Sequence, residues 1–208
     1  VIRPHVARMN EAQAFELVEK ARQETGLPVE VVNHNVRGRQ YSVTGDIKAL
    51  DYIATALAQA EGAWIPVPGI DVPFHSTLLR DGVAQFRETL NETLPRDLPV
   101  NNLVGRYLPN LVALPFEVTP EFTQALLDAS GSAAAAALLE NWSADEETTR
   151  VLLIECLAYQ FASPVRWIET QDWLFERIGR FVEVGVDYQP TVANMAKSTL
   201  RPMAAVVS

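Results

Sequence analysis

Cysteine is nearly absent from this chain: Cys156 stands alone among 208 residues. A single thiol excludes an internal disulfide and agrees with a cytosolic setting. No apolar run approaches the ~20 residues that a bilayer-spanning helix needs. The start, Val1-Ile-Arg-Pro-His5, has neither a signal-peptide apolar core nor an initiator Met, so the chain reads as a cut piece. Basic residues are also short: Lys and Arg total 17 against 26 Asp and Glu, a net charge of −9. That balance argues against general nucleic-acid binding, which needs a basic surface. An anionic ligand would need a locally basic mouth. Histidine is limited to three residues, and His5 and His34 have no companion at metal-ligand spacing.

What is present is a globular composition, 48% hydrophobic, enough for one domain or for two lobes. The stretch Val67-Pro-Gly-Ile-Asp-Val-Pro-Phe-His-Ser-Thr77 is the focus. It leads from a β-type run, Ala63 to Val67, into an amphipathic helix expected from about Thr77. Two prolines and a glycine fix its path, and His75 sits at its exit. Loops held by rigid elements are where catalytic groups gather, and imidazole is the usual general base near neutral pH.

Before this loop the pattern reads βαββαβ. Val1 to Arg3 ends a first strand, and Asn10 caps a helix over 11–24 that Gly26 closes. Pro28 to Asn33 and Gln40 to Thr44 are strands around an Arg37-Gly-Arg39 turn. Asp46 caps a second helix with Ile47, Leu50, Ile53, Ala54 and Leu57 on one stripe. Ala63 to Val67 is the last strand. This is the order of a ferredoxin-like lobe over 1–67. Beyond it the chain turns helical. Leu79, Val83, Phe86 and Leu90 recur at helical spacing up to Pro95. Leu98 to Pro115 reads as irregular or short strand. Thr119-Pro120 opens a short helix, and five alanines at 133–137 favour another. Ser143 to Glu146 reads as a capping box for the longest helix, about 144–162, with Val151, Ile154, Leu157, Ala158 and Phe161 on its buried face. Arg180 to Gly185 reads as a buried strand, 191–199 as a last helix, and 201–208 as a linker.

Several blocks carry a resemblance, in order along the chain: Val29-Glu-Val-Val-Asn-His-Asn35, Tyr41-Ser-Val-Thr-Gly-Asp-Ile-Lys-Ala-Leu50, Val72-Pro-Phe-His-Ser76, Gly105-Arg-Tyr-Leu-Pro-Asn-Leu111 and Ala158-Tyr-Gln-Phe-Ala-Ser-Pro-Val-Arg-Trp-Ile-Glu-Thr-Gln-Asp172. Together they resemble the malonyl/palmitoyl transferase domain of type I fatty-acid synthases. The unbroken run from Leu138-Leu-Glu-Asn-Trp142 into the last block resembles the bacterial single-polypeptide type. The resemblance implies an α/β fold: the ferredoxin-like α+β lobe, then over 68–200 the C-terminal part of an α/β-hydrolase-like acyltransferase core. It implies transfer of malonyl and long acyl groups between CoA and carrier-borne phosphopantetheine, both substrates, with no tightly bound cofactor. His75 matches the family's general base, and the Gln160 carbonyl the acceptor that orients it. Phe74 matches a residue shaping the acyl pocket, and Asn35 one facing the acyl group.

The family's nucleophile is a serine on a Gly-x-Ser-x-Gly elbow. No serine here has glycine both two residues before and two residues after it. The chain therefore reads as carrying the base without the nucleophile. Implied partners are acyl carrier protein, the serine-bearing N-terminal portion of the same domain and the other synthase domains, in an oligomeric, cytoplasmic assembly without nucleic acid or membrane. A non-catalytic structural or carrier-docking segment and a polyketide-synthase acyltransferase remain the alternatives. Arg37 and Arg39 are the densest positive charge, suited to an acidic carrier or CoA phosphates or simply to a solvated hairpin. Arg166 reads as structural, and Cys156 as a buried small residue.

Overall fold

The computed structural model describes residues 1–185 and 190–200. It divides into two compact units, one formed by Val1–Val72 with the chain from Trp167 onward, the other by Pro73–Arg166.

In the first unit, helix α1 (Glu11–Thr25) starts at a capping box: Asn10 accepts from the Gln13 amide at 2.9 Å, and the Gln13 side chain accepts from the Asn10 amide at 2.9 Å. Gly26 ends it at φ 65°, the left-handed conformation that glycine adopts without a steric cost. Strands β1 (Val29–Val36) and β2 (Gln40–Gly45) form an antiparallel hairpin with register shifts between Val31 and Asn33 and between His34 and Val36. Helix α2 (Ile47–Ala56) is capped by Asp46, whose carboxylate accepts from the Lys48 amide.

The strands expected at Val1–Arg3 and Ala63–Val67 are reduced to single bridges. Ile2 pairs antiparallel with Tyr41 on one side and Trp64 on the other. The spatial order is thus Trp64, Ile2, β2, β1. Ile2, Val18, Ala21, Ala49 and Ile53 form the core beneath it. Ile47, expected on the buried stripe of α2, is 74% exposed because it sits in the first turn, off the packed face.

Helix α7 (Trp167–Phe175), which periodicity did not reveal, packs on β1. Its buried Gln171 donates to the Asn35 carbonyl at 2.9 Å and accepts from Thr199 of α8 (Thr191–Leu200) at 2.8 Å. The buried strand expected at 180–185 does not form: the segment is irregular, with Val182 61% and Val184 95% exposed. β-Branched composition alone cannot make a strand without a neighbouring edge. The expected linker at 201–208 lies outside the described residues.

The second unit is helical among its described residues. A 3₁₀ turn (Thr77–Gly82) leads into α3 (Val83–Thr93), so the helix expected from Thr77 begins six residues late. A short 3₁₀ turn (Val100–Leu103) interrupts the irregular stretch up to Pro115, which holds no strand. Helices α4 (Pro120–Ser130) and α5 (Ala133–Glu140) follow, capped by Thr119 and Ser132.

The central helix is α6 (Glu146–Gln160). Its cap is Asp145, not Ser143: the Asp145 carboxylate accepts from the Thr148 amide at 2.8 Å. The single buried stripe expected for it is also wrong. Leu152, Leu153, Ile154, Glu155, Cys156 and Ala158 are all buried, because α3, α4 and α5 surround the helix. Its two buried charges are both partnered. Arg150 donates to the carbonyls of Pro95 and Leu94, at 2.9 and 2.8 Å, which the end of α3 leaves without helical partners. Glu155 is discussed below.

Candidate active site

The proline loop delivers His75 to the end of α6. Pro73 and Ser76 set the approach, with Ser76 fully buried and its hydroxyl donating to the Pro73 carbonyl at 2.8 Å. His75 itself has φ 67°, one of three non-glycine residues with positive φ among the described residues. Such a conformation is disfavoured for a residue with a Cβ and persists only where surrounding contacts impose it.

Those contacts come from the last carbonyls of α6, which have no acceptor role inside the helix. The His75 amide donates to the Phe161 carbonyl at 2.6 Å, and His75 Nδ1 lies 2.9 Å from the Gln160 carbonyl. A carbonyl oxygen only accepts, so Nδ1 is the donor here, and in the neutral ring Nε2 is then the acceptor nitrogen. His75 and Gln160 are 85 residues apart in sequence. Beside them lies a cavity of about 230 Å³ lined by His75, Phe86, Leu90, Leu157, Gln160 and Phe161. Phe86 and Phe161 meet edge to face with centroids 5.5 Å apart.

The other sequence candidates fall as follows. Phe74 is 50% exposed and so is not a core anchor. Asn35 belongs to the first unit and lies within β1 rather than in the turn, its side chain donating to Ser42 Oγ at 3.2 Å. Arg37 pairs with Asp172 at 2.6 Å on the surface. Arg166 donates to the Val112 carbonyl at 3.2 Å. Cys156 is fully buried, and burial pushes its thiol pKa up, which makes it a packing residue. His34 packs edge-on against Phe15 and Tyr41. Among the described residues no cluster of His, Cys, Asp or Glu is arranged to hold a metal ion, and no helix is long and apolar enough to cross a membrane.

Sequence reasoning missed the charged cluster next to Gln160. Glu155 is 1% exposed and takes both prongs of the Arg87 guanidinium, with Arg87 Nη2 at 2.9 Å from Oε2. Ser132 Oγ donates to the same carboxylate at 2.6 Å. The pairing holds the Arg87 pKa up, mainly through the hydrogen bond to Glu155. The available signal was a glutamate on a helix flanked on both sides by apolar residues, Ile154 and Cys156.

No protein-family model matches the chain. By fold it is similar to the malonyl CoA-acyl carrier protein transacylase of Clostridium perfringens, with a TM-score of 0.62, 19% identity, and coverage of 92% of this chain and 48% of that one. It is also similar to a malonyl-transacylase solved in complex with its type II polyketide acyl-carrier protein, with a TM-score of 0.58, 18% identity, and coverage of 92% and 49%. The fold is therefore that of part of a malonyl-transacylase. By sequence the chain is 34% identical, over 91% of its length, to fatty acid synthase 2 of Mycosarcoma maydis, of which it spans 6%. The resemblance to the acyltransferase of a type I fatty-acid synthase, read from the sequence blocks, is borne out.

Proposed function

We propose that this chain is the histidine-bearing portion of a malonyl/palmitoyl-CoA:acyl-carrier-protein acyltransferase in a type I fatty-acid synthase. The observation that carries the reading is the 2.9 Å approach of His75 Nδ1 to the Gln160 carbonyl. It orients the ring so that, in the neutral imidazole, Nε2 is the nitrogen left to accept a proton, which is what a general base requires.

In this reading Nε2 takes the proton from a serine hydroxyl as the oxygen attacks the substrate thioester. The imidazolium then returns that proton to the departing thiolate sulfur. Loading from CoA and delivery to carrier phosphopantetheine are the same step run with different thiols. The serine is supplied by a portion of the synthase that this chain does not contain, since no Gly-x-Ser-x-Gly elbow occurs in it. Phe74, directly before His75, shapes the acyl pocket. The substrates are CoA and carrier thioesters, and no tightly bound cofactor takes part.

The partners are acyl carrier protein, the serine-bearing portion and the other domains of an oligomeric, cytoplasmic synthase. A transacylase of similar fold solved with its carrier protein supports the first of these. The pairing order Trp64, Ile2, β2, β1, antiparallel throughout, supports a ferredoxin-like lobe whose first and last strands in sequence are reduced. The remainder is the C-terminal part of an α/β-hydrolase-like core. The unbroken run from Leu138 to Asp172 supports the bacterial single-polypeptide type.

The test is His75→Ala in the intact synthase. Acyl transfer from malonyl-CoA should fall by about 10²–10⁴-fold, the range for loss of a general base, with KM little changed. Turnover at the wild-type level would reduce His75 to a packing residue.

A further inference from the structure

Behind the imidazole lies a second layer built on Tyr159, the neighbour of Gln160. Two guanidinium groups face its ring: Arg80 at 5.2 Å from the centroid and Arg87 at 5.6 Å. Both lie within the range in which a cation is attracted to an aromatic ring. They reach Tyr159 from different places. Arg80 belongs to the 3₁₀ turn that immediately follows His75, and Arg87 to α3, whose Phe86 and Leu90 line the cavity. Arg80 also donates to the Ser130 carbonyl at the end of α4.

Two cations on one ring repel each other unless something neutralises them. Glu155 does so. It is one helical turn before Tyr159 on α6, buried, forked by Arg87 and held by Ser132. A carboxylate this deep is tolerated because it is paired and fully hydrogen-bonded. The chain of contacts thus ties the segment carrying His75 and the turn carrying the Gln160 carbonyl to one aromatic ring.

We propose that Tyr159, held by Arg80 and Arg87, is a positioning residue that fixes the Gln160 carbonyl relative to His75. It acts through the backbone of α6 and touches no reacting atom. The inference rests on the reading of His75 as the base.

The experiment uses the intact synthase with acyl transfer from malonyl-CoA. Tyr159→Leu removes the ring and Tyr159→Phe keeps it. Tyr159→Leu should lower kcat by about 10–100-fold with KM within about threefold of wild type, as expected when a catalytic group is displaced while substrate binding stays intact. Tyr159→Phe should restore kcat to within about threefold, because it keeps the ring that both guanidinium groups meet and gives up only the hydroxyl's hydrogen bond with Arg87. A Tyr159→Leu enzyme that melts cooperatively with wild-type kcat would overturn the proposal, as would an effect on KM alone or a Phe variant as impaired as Leu. Where the Leu variant does not melt cooperatively, Arg80→Gln removes one of the two cations on the ring and is read the same way: a kcat loss with unchanged KM supports the proposal, and wild-type kcat overturns it. His75→Ala in the same background separates the two readings. Full activity there removes the base assignment itself, whereas a dead His75→Ala beside an unaffected Tyr159→Leu removes only the positioning role.

Discussion

At Phe74 the structure makes a specificity question easier to ask. The side chain is half exposed and directly precedes His75. Truncating it therefore leaves less of a cavity than truncating a core aromatic, for which ~3–5 kcal/mol is usual. In the intact synthase, Phe74→Ser should lower the preference for malonyl-CoA over methylmalonyl-CoA, taken as the ratio of kcat/KM values, by about 10-fold. One methyl group in a tight pocket is worth roughly that much. An unchanged ratio in a variant that still melts cooperatively would place selectivity elsewhere. The prolines, glycine and rare histidine on one loop drew attention to His75, and it was the resemblance of Val72-Pro-Phe-His-Ser76 that gave it a role. Its positive φ was not legible, because it follows from two carbonyls 85 and 86 positions further along the chain. Glu155 and Arg150 were missed for a related reason. A charged residue on a helix is by default assigned to solvent, and only the partners brought in by folding, such as Arg87 at 68 residues' separation, reverse that.

Among the elements, three helix caps and the central hairpin were read well, whereas the cap of α6 and the remaining strands were not. Asn10, Asp46 and Thr119 each accept a hydrogen bond from the first turn of their helices, a signal contained within four residues of sequence. Strand pairing at Ile2 and Trp64, and its absence at 180–185, depend on distant edges that composition does not encode. The cap of α6 gives a pH test. Asp145 has its pKa lowered, first by the hydrogen bond from the Thr148 amide and then by Ser143. A carboxyl with a lowered folded-state pKa stabilises the fold above the unfolded-state value and loses that contribution as pH falls through the folded-state one. Asp145→Asn keeps the acceptor and removes the charge. Wild type should therefore melt above the variant near neutral pH, and the gap should close in acid, below the ordinary carboxylate range. A gap that stays constant from neutral pH into acid would show that the charge contributes nothing to the cap.

For the molecule as a whole, the division of labour predicts a chemical silence. On the proposed reading of His75 as a base, and with no elbow serine in the sequence, the 208-residue chain incubated with radiolabelled malonyl-CoA should remain unlabelled. Stable, hydroxylamine-labile label would reveal another nucleophile and remove the reading of a split machine. The second unit is also an interruption: residues 73–166 lie between two stretches that together form the first. The His75 amide and the Phe161 carbonyl, 2.6 Å apart, bring the incoming and outgoing stretches of that interruption together. A segment that returns close to its starting point within itself is the kind that chains tolerate as an insertion. The same few atoms that aim the imidazole thus close the loop topologically, so that His75 and the carbonyls that hold it all belong to the inserted segment.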